Sequence, residues 1–165
     1  MFKQLLPQRF DNTYRGHKLA LWLFGVVVFV KLSQSLVSIF NGYSTLHIAD
    51  GIPLDTFTPA GARTAVSLFA VLGLSGSIIC LICIVALVRY RSMVPFMFAL
   101  LLLEYLSRRM ILHFLPVVWT GTPPGLIVNL VILALMVIGL VLSLWSHSGP
   151  MPSAPANRWT GRTMP

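Results

Sequence analysis

The sequence predicts an all-α integral membrane protein, a four-helix bundle with both termini in the cytoplasm, and three observations predict it. Apolar residues fill 56% of the 165 positions and charged ones only 10%, where a soluble domain carries roughly 25% charged residues. Four runs reach the roughly 20 mostly apolar residues that span about 30 Å of hydrocarbon. The basic residues gather at alternate ends of those runs. With a mean hydropathy of +0.84, the partner implied first is the lipid bilayer.

The spans follow in order. The first covers about 19–40 and is interrupted by Lys31 and Gln34. Its opening stretch, Leu19 to Val30, has the length of a signal-peptide core, but apolarity resumes through Leu36, Val37, Ile39 and Phe40, which predicts a retained anchor helix. The second, about 65–88, carries no charge. The third, about 93–114, holds Glu104, Arg108, Arg109 and His113. The fourth, about 125–145, has Asn129 as its only strongly polar side chain. These four make a transmembrane domain over 19–145. Residues 1–18 mix Phe2, Leu5, Leu6 and Phe10 with Lys3 and Arg9, as expected of a segment along the cytoplasmic interface. Residues 146–165 are rich in Gly and Pro without apolar periodicity and read as a disordered cytoplasmic tail.

Orientation comes from the cations. Lys3, Arg9, Arg15 and Lys18 precede the first span, Arg89 and Arg91 fill the turn between the second and third, and Arg158 and Arg162 lie in the tail. The 41–61 connection contains Asp50 and Asp55 but no Lys or Arg, and the 116–124 connection is uncharged. The positive-inside rule then places both termini in the cytoplasm and the two longer connections outside. The net charge of +8 fits anionic lipid heads. No stretch interleaves basic and aromatic residues over enough length for a nucleic-acid groove.

Both even-numbered helices begin alike, with Thr58-Pro59 and Thr122-Pro123. Each threonine suits an N-cap, and each proline suits the first helical position, where its missing N–H costs nothing. Two independent caps or the duplication of a helical hairpin would each give this pattern.

The charges inside spans are the most informative residues. At about 1.5 Å per residue, Lys31 and Glu104 lie at similar depth, near the bilayer centre. A lone charge there costs at least about 2.5–3.5 kcal/mol. Lys31, Gln34, Ser35 and Ser38 fall on one face of the first helix, and Glu104 and Arg108 share a face of the third. A network of Lys31, Gln34, Glu104 and Arg108 is therefore expected. Arg109, His113, Asn129, Asp50 and Asp55 make the outer half more polar than the inner half. That suits either an outward vestibule for a small polar or anionic ligand, or snorkelled side chains that set helix register. Gly73, Gly76 and Ser77 on the second helix, and Gly139 and Ser143 on the fourth, are expected at close helix contacts.

Other chemistry finds little footing. Cys80 and Cys83 form a C-x-x-C pair, but they sit in an uncharged helix with no second pair to pass electrons on. His17, His47, His113 and His147 show no ligand spacing, so neither metal nor cofactor is expected. No phosphate loop or catalytic triad can be drawn.

As strings, Thr56 to Ala62, Tyr90 to Phe98 with Glu104 and Arg108-Arg109, and Gly121 to Gly125 resemble a family of uncharacterised bacterial inner-membrane proteins over roughly Asp11 to Trp145. The resemblance implies a location and no mechanism. The residues together favour a non-enzymatic accessory or structural membrane component, with a membrane protein or a second copy as partner. The alternatives are a small-molecule or anion binder or transporter using the outward polar cluster and, more distantly, a membrane thiol redox protein.

Overall fold

The computed structural model describes residues 17–116 and 123–145. The interfacial segment before His17, the tail 146–165 and the expected cap at Thr122 lie outside the described residues. Within them all regular structure is helical. The long helices are α1 (Lys18–Phe40), α2 (Pro59–Arg89), α3 (Val94–Phe114) and α4 (Pro124–Leu144). Short helical turns fill the α1–α2 connection.

The helix ends follow from local chemistry. His17 caps α1 by accepting the Leu19 N–H on Nδ1 at 3.2 Å. Thr58 caps α2 by accepting the Gly61 N–H on Oγ1 at 3.2 Å, with Pro59 at the first helical position. The cap, not the onset of apolarity, therefore sets the start of α2, six residues before the expected Ala65. At 31 residues α2 is about 46 Å long, so its first turns, including exposed Arg63, outreach a 30 Å hydrocarbon layer. In α4 the second proline takes the helical role: Pro123 is the N-cap residue and Pro124 opens the helix. This corrects the expected placement of Pro123.

Among the described residues Gly51 is the one with positive φ, 65°, a conformation open to glycine without steric cost. It lets the chain double back so that the Ile52 N–H reaches the Leu46 carbonyl at 2.9 Å.

Packing fixes the relative directions. The Gly73 and Gly76 positions of α2 meet Ser38 and Ser35 of α1, while Gly25 of α1 meets Leu87, so α1 and α2 run antiparallel. Phe24 touches Phe98 edge-on at 4.9 Å between ring centroids and Lys31 reaches Glu104, so α3 runs with α1. Gly139 of α4 lies under the Phe98 ring, and the His17 N–H meets the Leu142 carbonyl, so α4 returns antiparallel. All four helices feed one apolar core: Phe24 and Val28 from α1, Cys80 and Cys83 from α2, Phe98 and Leu101 from α3, Met136 from α4. This core fills the half nearer the 90–93 turn, and Lys31, Glu104 and Arg108 lie beyond it towards the α1–α2 connection.

The outward faces are as apolar as the core. Leu72, Ile78, Ile82 and Val85 on α2 and Ile127, Val131 and Ile138 on α4 are exposed. Contiguous apolar surface on this scale marks contact with lipid or protein. Three helices, α1, α2 and α4, are long and apolar enough to cross a membrane, which makes this a membrane protein. α3 has the length, 21 residues, but carries Glu104, Arg108 and Arg109.

Candidate functional site

Two cations from the helices converge on Glu104. Lys31 Nζ donates to Glu104 Oε2 at 2.5 Å, and Arg108 Nη2 donates to Oε1 at 2.9 Å from one turn along the same helix. Each carboxylate oxygen thus holds one cation. The Lys31 and Glu104 side chains retain only 16% and 24% of their exposure, against 55% for Arg108. The pair sits where α1, α2 and α3 meet, and Cys80 of α2 lies within electrostatic reach of both its members.

The alternation of charge continues outward to Asp50. Burial in the α1–α2 connection pushes the Asp50 carboxyl above its ordinary 3.8, and the Arg108 charge draws it back down. Asp50 packs over the start of α4: a Cβ added at Gly125 would meet the Ala49 carbonyl at 2.8 Å and Asp50 Oδ1 at 3.2 Å. A carboxylate beside a helix N-terminus is favoured by the helix dipole. From the middle of α1 to this connection the order is Lys31, Glu104, Arg108, Asp50, with positive and negative groups alternating.

Gln34 stands outside this arrangement. Among the described residues it bonds through its backbone carbonyl, which accepts Ser38 Oγ at 2.9 Å. The part of the α1 stripe nearer Phe40 is taken up by α2, because a Cβ at Gly73 would lie 2.8 Å from the Ser35 carbonyl and one at Gly76 would lie 2.6 Å from Ser35 Oγ. Ser77 donates back to the Gly73 carbonyl at 3.0 Å and, like Ser143, is buried.

The residues expected to line an outer vestibule are spread over α3, α4 and the α1–α2 connection. Arg109 and His113 are exposed on α3, with the His113 ring against Phe114. Asn129 is half-buried on α4. Asp55 instead belongs to a cluster in the α1–α2 connection that sequence reasoning missed. Tyr43 Oη donates to Asp55 Oδ1 at 3.2 Å, His47 Nε2 lies 3.7 Å from Oδ2, and the Tyr43 ring stacks on His47. The hydrogen bond and the charge of Asp55 push the Tyr43 phenol above its ordinary 10.0. The available signal was the i, i+4 spacing of Tyr43 and His47; Asp55 joins them only because the chain reverses at Gly51.

Cys80 and Cys83 are free and buried. Among the described residues no group of three or more His, Cys, Asp or Glu side chains is placed to hold a metal ion. Compared with protein-family models, curated proteins and solved structures, the chain shows no match.

Proposed function

We propose that this chain is a non-enzymatic component of a bacterial inner membrane, crossing it four times as a helical bundle with both termini in the cytoplasm, and that it works by associating with another membrane protein or a second copy of itself. The observation that carries the reading is the closed ion-pair arrangement. Glu104 spends both oxygens on Lys31 and Arg108, so the carboxylate among the helices is fully engaged and is not free to act as a base. Buried polar groups of this kind specify register and partner arrangement at little net gain in stability.

α3 favours association. It is the least apolar long helix, and Arg109 lies exposed between Leu106, Met110 and Ile111. A guanidinium so placed either snorkels to the lipid phosphates or meets an acceptor on a neighbouring helix. The ligand-binding and transport reading draws less support, because Arg109 and His113 are exposed on α3 rather than enclosed. The thiol redox reading draws less still: both cysteines are buried, and an attacking thiolate needs access.

Gentle extraction into nanodiscs followed by native mass spectrometry tests the proposal. A stoichiometric protein partner or a homo-oligomer is the expected result. A bare monomer from its native membrane, with no partner at any protein-to-lipid ratio, would remove the reading.

A further inference from the structure

At the opposite end of the molecule from Asp50, one face of α1 and the end of α2 enclose a groove of about 600 Å³. The α1 residues lining it include Lys18, Trp22, Gly25 and Phe29, spaced along one helical face. Across it stand Leu87 of α2 and Arg91 of the following turn. Its walls are apolar along their length, and its two ionised residues, Lys18 and Arg91, are both cations. Neither forms an ion pair with another described residue. Gly25 keeps the floor low, since even a Cβ there would reach only to 3.7 Å from Leu87. Trp22 and Phe29 are 77% and 70% exposed, leaving broad aromatic surface for an apolar occupant.

The dimensions and chemistry select that occupant. Lys18 lies at the start of α1 and Phe29 is 11 residues further on, about 16 Å, or the depth of one leaflet of a 30 Å hydrocarbon layer. A tryptophan near the polar end is the usual furnishing of a membrane interface. Paired cations at the mouth of an apolar groove between membrane helices suit a phosphate that carries no amine of its own. We infer that this groove is a binding site for one anionic glycerophospholipid. An acyl chain lies along Trp22, Gly25 and Phe29, and the phosphate sits between Lys18 and Arg91. The site belongs to the leaflet on the side of the 90–93 turn, so it does not depend on which way the chain is oriented or on whether it works through a protein partner.

The test is lipid retention by the full chain, read by native mass spectrometry after reconstitution in nanodiscs of phosphatidylglycerol and phosphatidylcholine in equal amounts. The wild type is expected to keep one phosphatidylglycerol in preference to phosphatidylcholine by about thirtyfold, from roughly fivefold per basic residue near the surface. The Lys18→Gln/Arg91→Gln double variant should lose that preference. Gly25→Leu should lower retention of the lipid while both cations remain, and its Cβ would lie at ordinary contact distance, 3.7 Å, from Leu87. Arg63→Gln/Arg109→Gln, which removes the same charge elsewhere, should retain the lipid as the wild type does. Equal retention of the two lipids by the wild type, or equal losses in the two charge variants, would overturn the site. A chain that stays in aqueous buffer without detergent would instead overturn its residence in the membrane.

Discussion

Removing the two members of the Lys31–Glu104 pair one at a time should have unequal effects, and the inequality can be worked out from the geometry. Glu104 has two cations and Lys31 has one anion. Lys31→Met therefore leaves Glu104 still bonded to Arg108 and puts an apolar side chain of similar reach among apolar neighbours. The expected loss is below about 1 kcal/mol, because exchanging a buried ion for a packed apolar group is often neutral. Glu104→Gln strands Lys31 midway along α1 and releases Arg108. Breaking a buried pair by removing one partner costs about 3–5 kcal/mol, and the half-exposed Arg108 contact adds at most about 1. The Lys31→Met/Glu104→Gln double variant should recover at least about 2 kcal/mol relative to Glu104→Gln alone. Titration with sodium dodecyl sulfate in mixed micelles, followed by near-ultraviolet circular dichroism, measures all three against the wild type. Equal losses in the single variants, or losses that simply add in the double, would refute the shared-carboxylate geometry. A plain charge exchange is a poorer control, because Glu104→Lys would set a second cation one turn from Arg108; Arg108→Glu must accompany it.

Four further outcomes follow from the structure. Gly139→Leu drives a side chain into the Phe98 ring and should cost about 1–3 kcal/mol by overpacking, with partial recovery when Phe98→Ala is added, read in the same titration. Thr58→Ala removes the Oγ1 bond to the Gly61 N–H and should cost about 1 kcal/mol, whereas Thr58→Ser should be nearly silent. Asp50 has a raised folded-state carboxyl pKa, so its contribution to stability is fully present below the ordinary value of 3.8 and is lost as pH rises through the folded value. Asp50→Asn should flatten the stability–pH profile in that window. Ultraviolet titration should find Tyr43 ionising above the ordinary value, and Asp55→Ala should return it, because the bond from Tyr43 and the nearby negative charge both go.

Much of the architecture was legible because lipid enforces simple rules. Long apolar runs marked α1, α2 and α4, and the cap at Thr58 was visible as a Thr-Pro pair. Reading the start of α2 from hydropathy missed six residues, because Arg63 and Thr64 lie in a turn that local hydrogen bonding makes helical whatever its solvent. Lys31 and Glu104 could be matched because equal depth in parallel helices is a matter of counting. Gln34 could not, since the same stripe of α1 is divided between α2 and α3, and which residue meets which neighbour depends on crossing geometry. The small residues at 73, 76 and 139 announced close contacts without naming partners; that Phe98 fills the space at Gly139 follows from register alone. The groove at Lys18 and Arg91 was invisible for a related reason, as its two cations stand 73 positions apart in the chain.

The central claim is that α3 crosses the membrane, so that the pair it makes with Lys31 lies within the bilayer. Labelling intact cells with a membrane-impermeant maleimide tests it, using single cysteines introduced as Thr56→Cys, Arg91→Cys and Pro116→Cys after Cys80 and Cys83 are changed to Ala. The account predicts that positions 56 and 116 label from outside and that 91 labels only once the membrane is broken. If 116 instead behaves like 91, α3 does not cross, and the ion pair with Lys31 cannot be an intramembrane one.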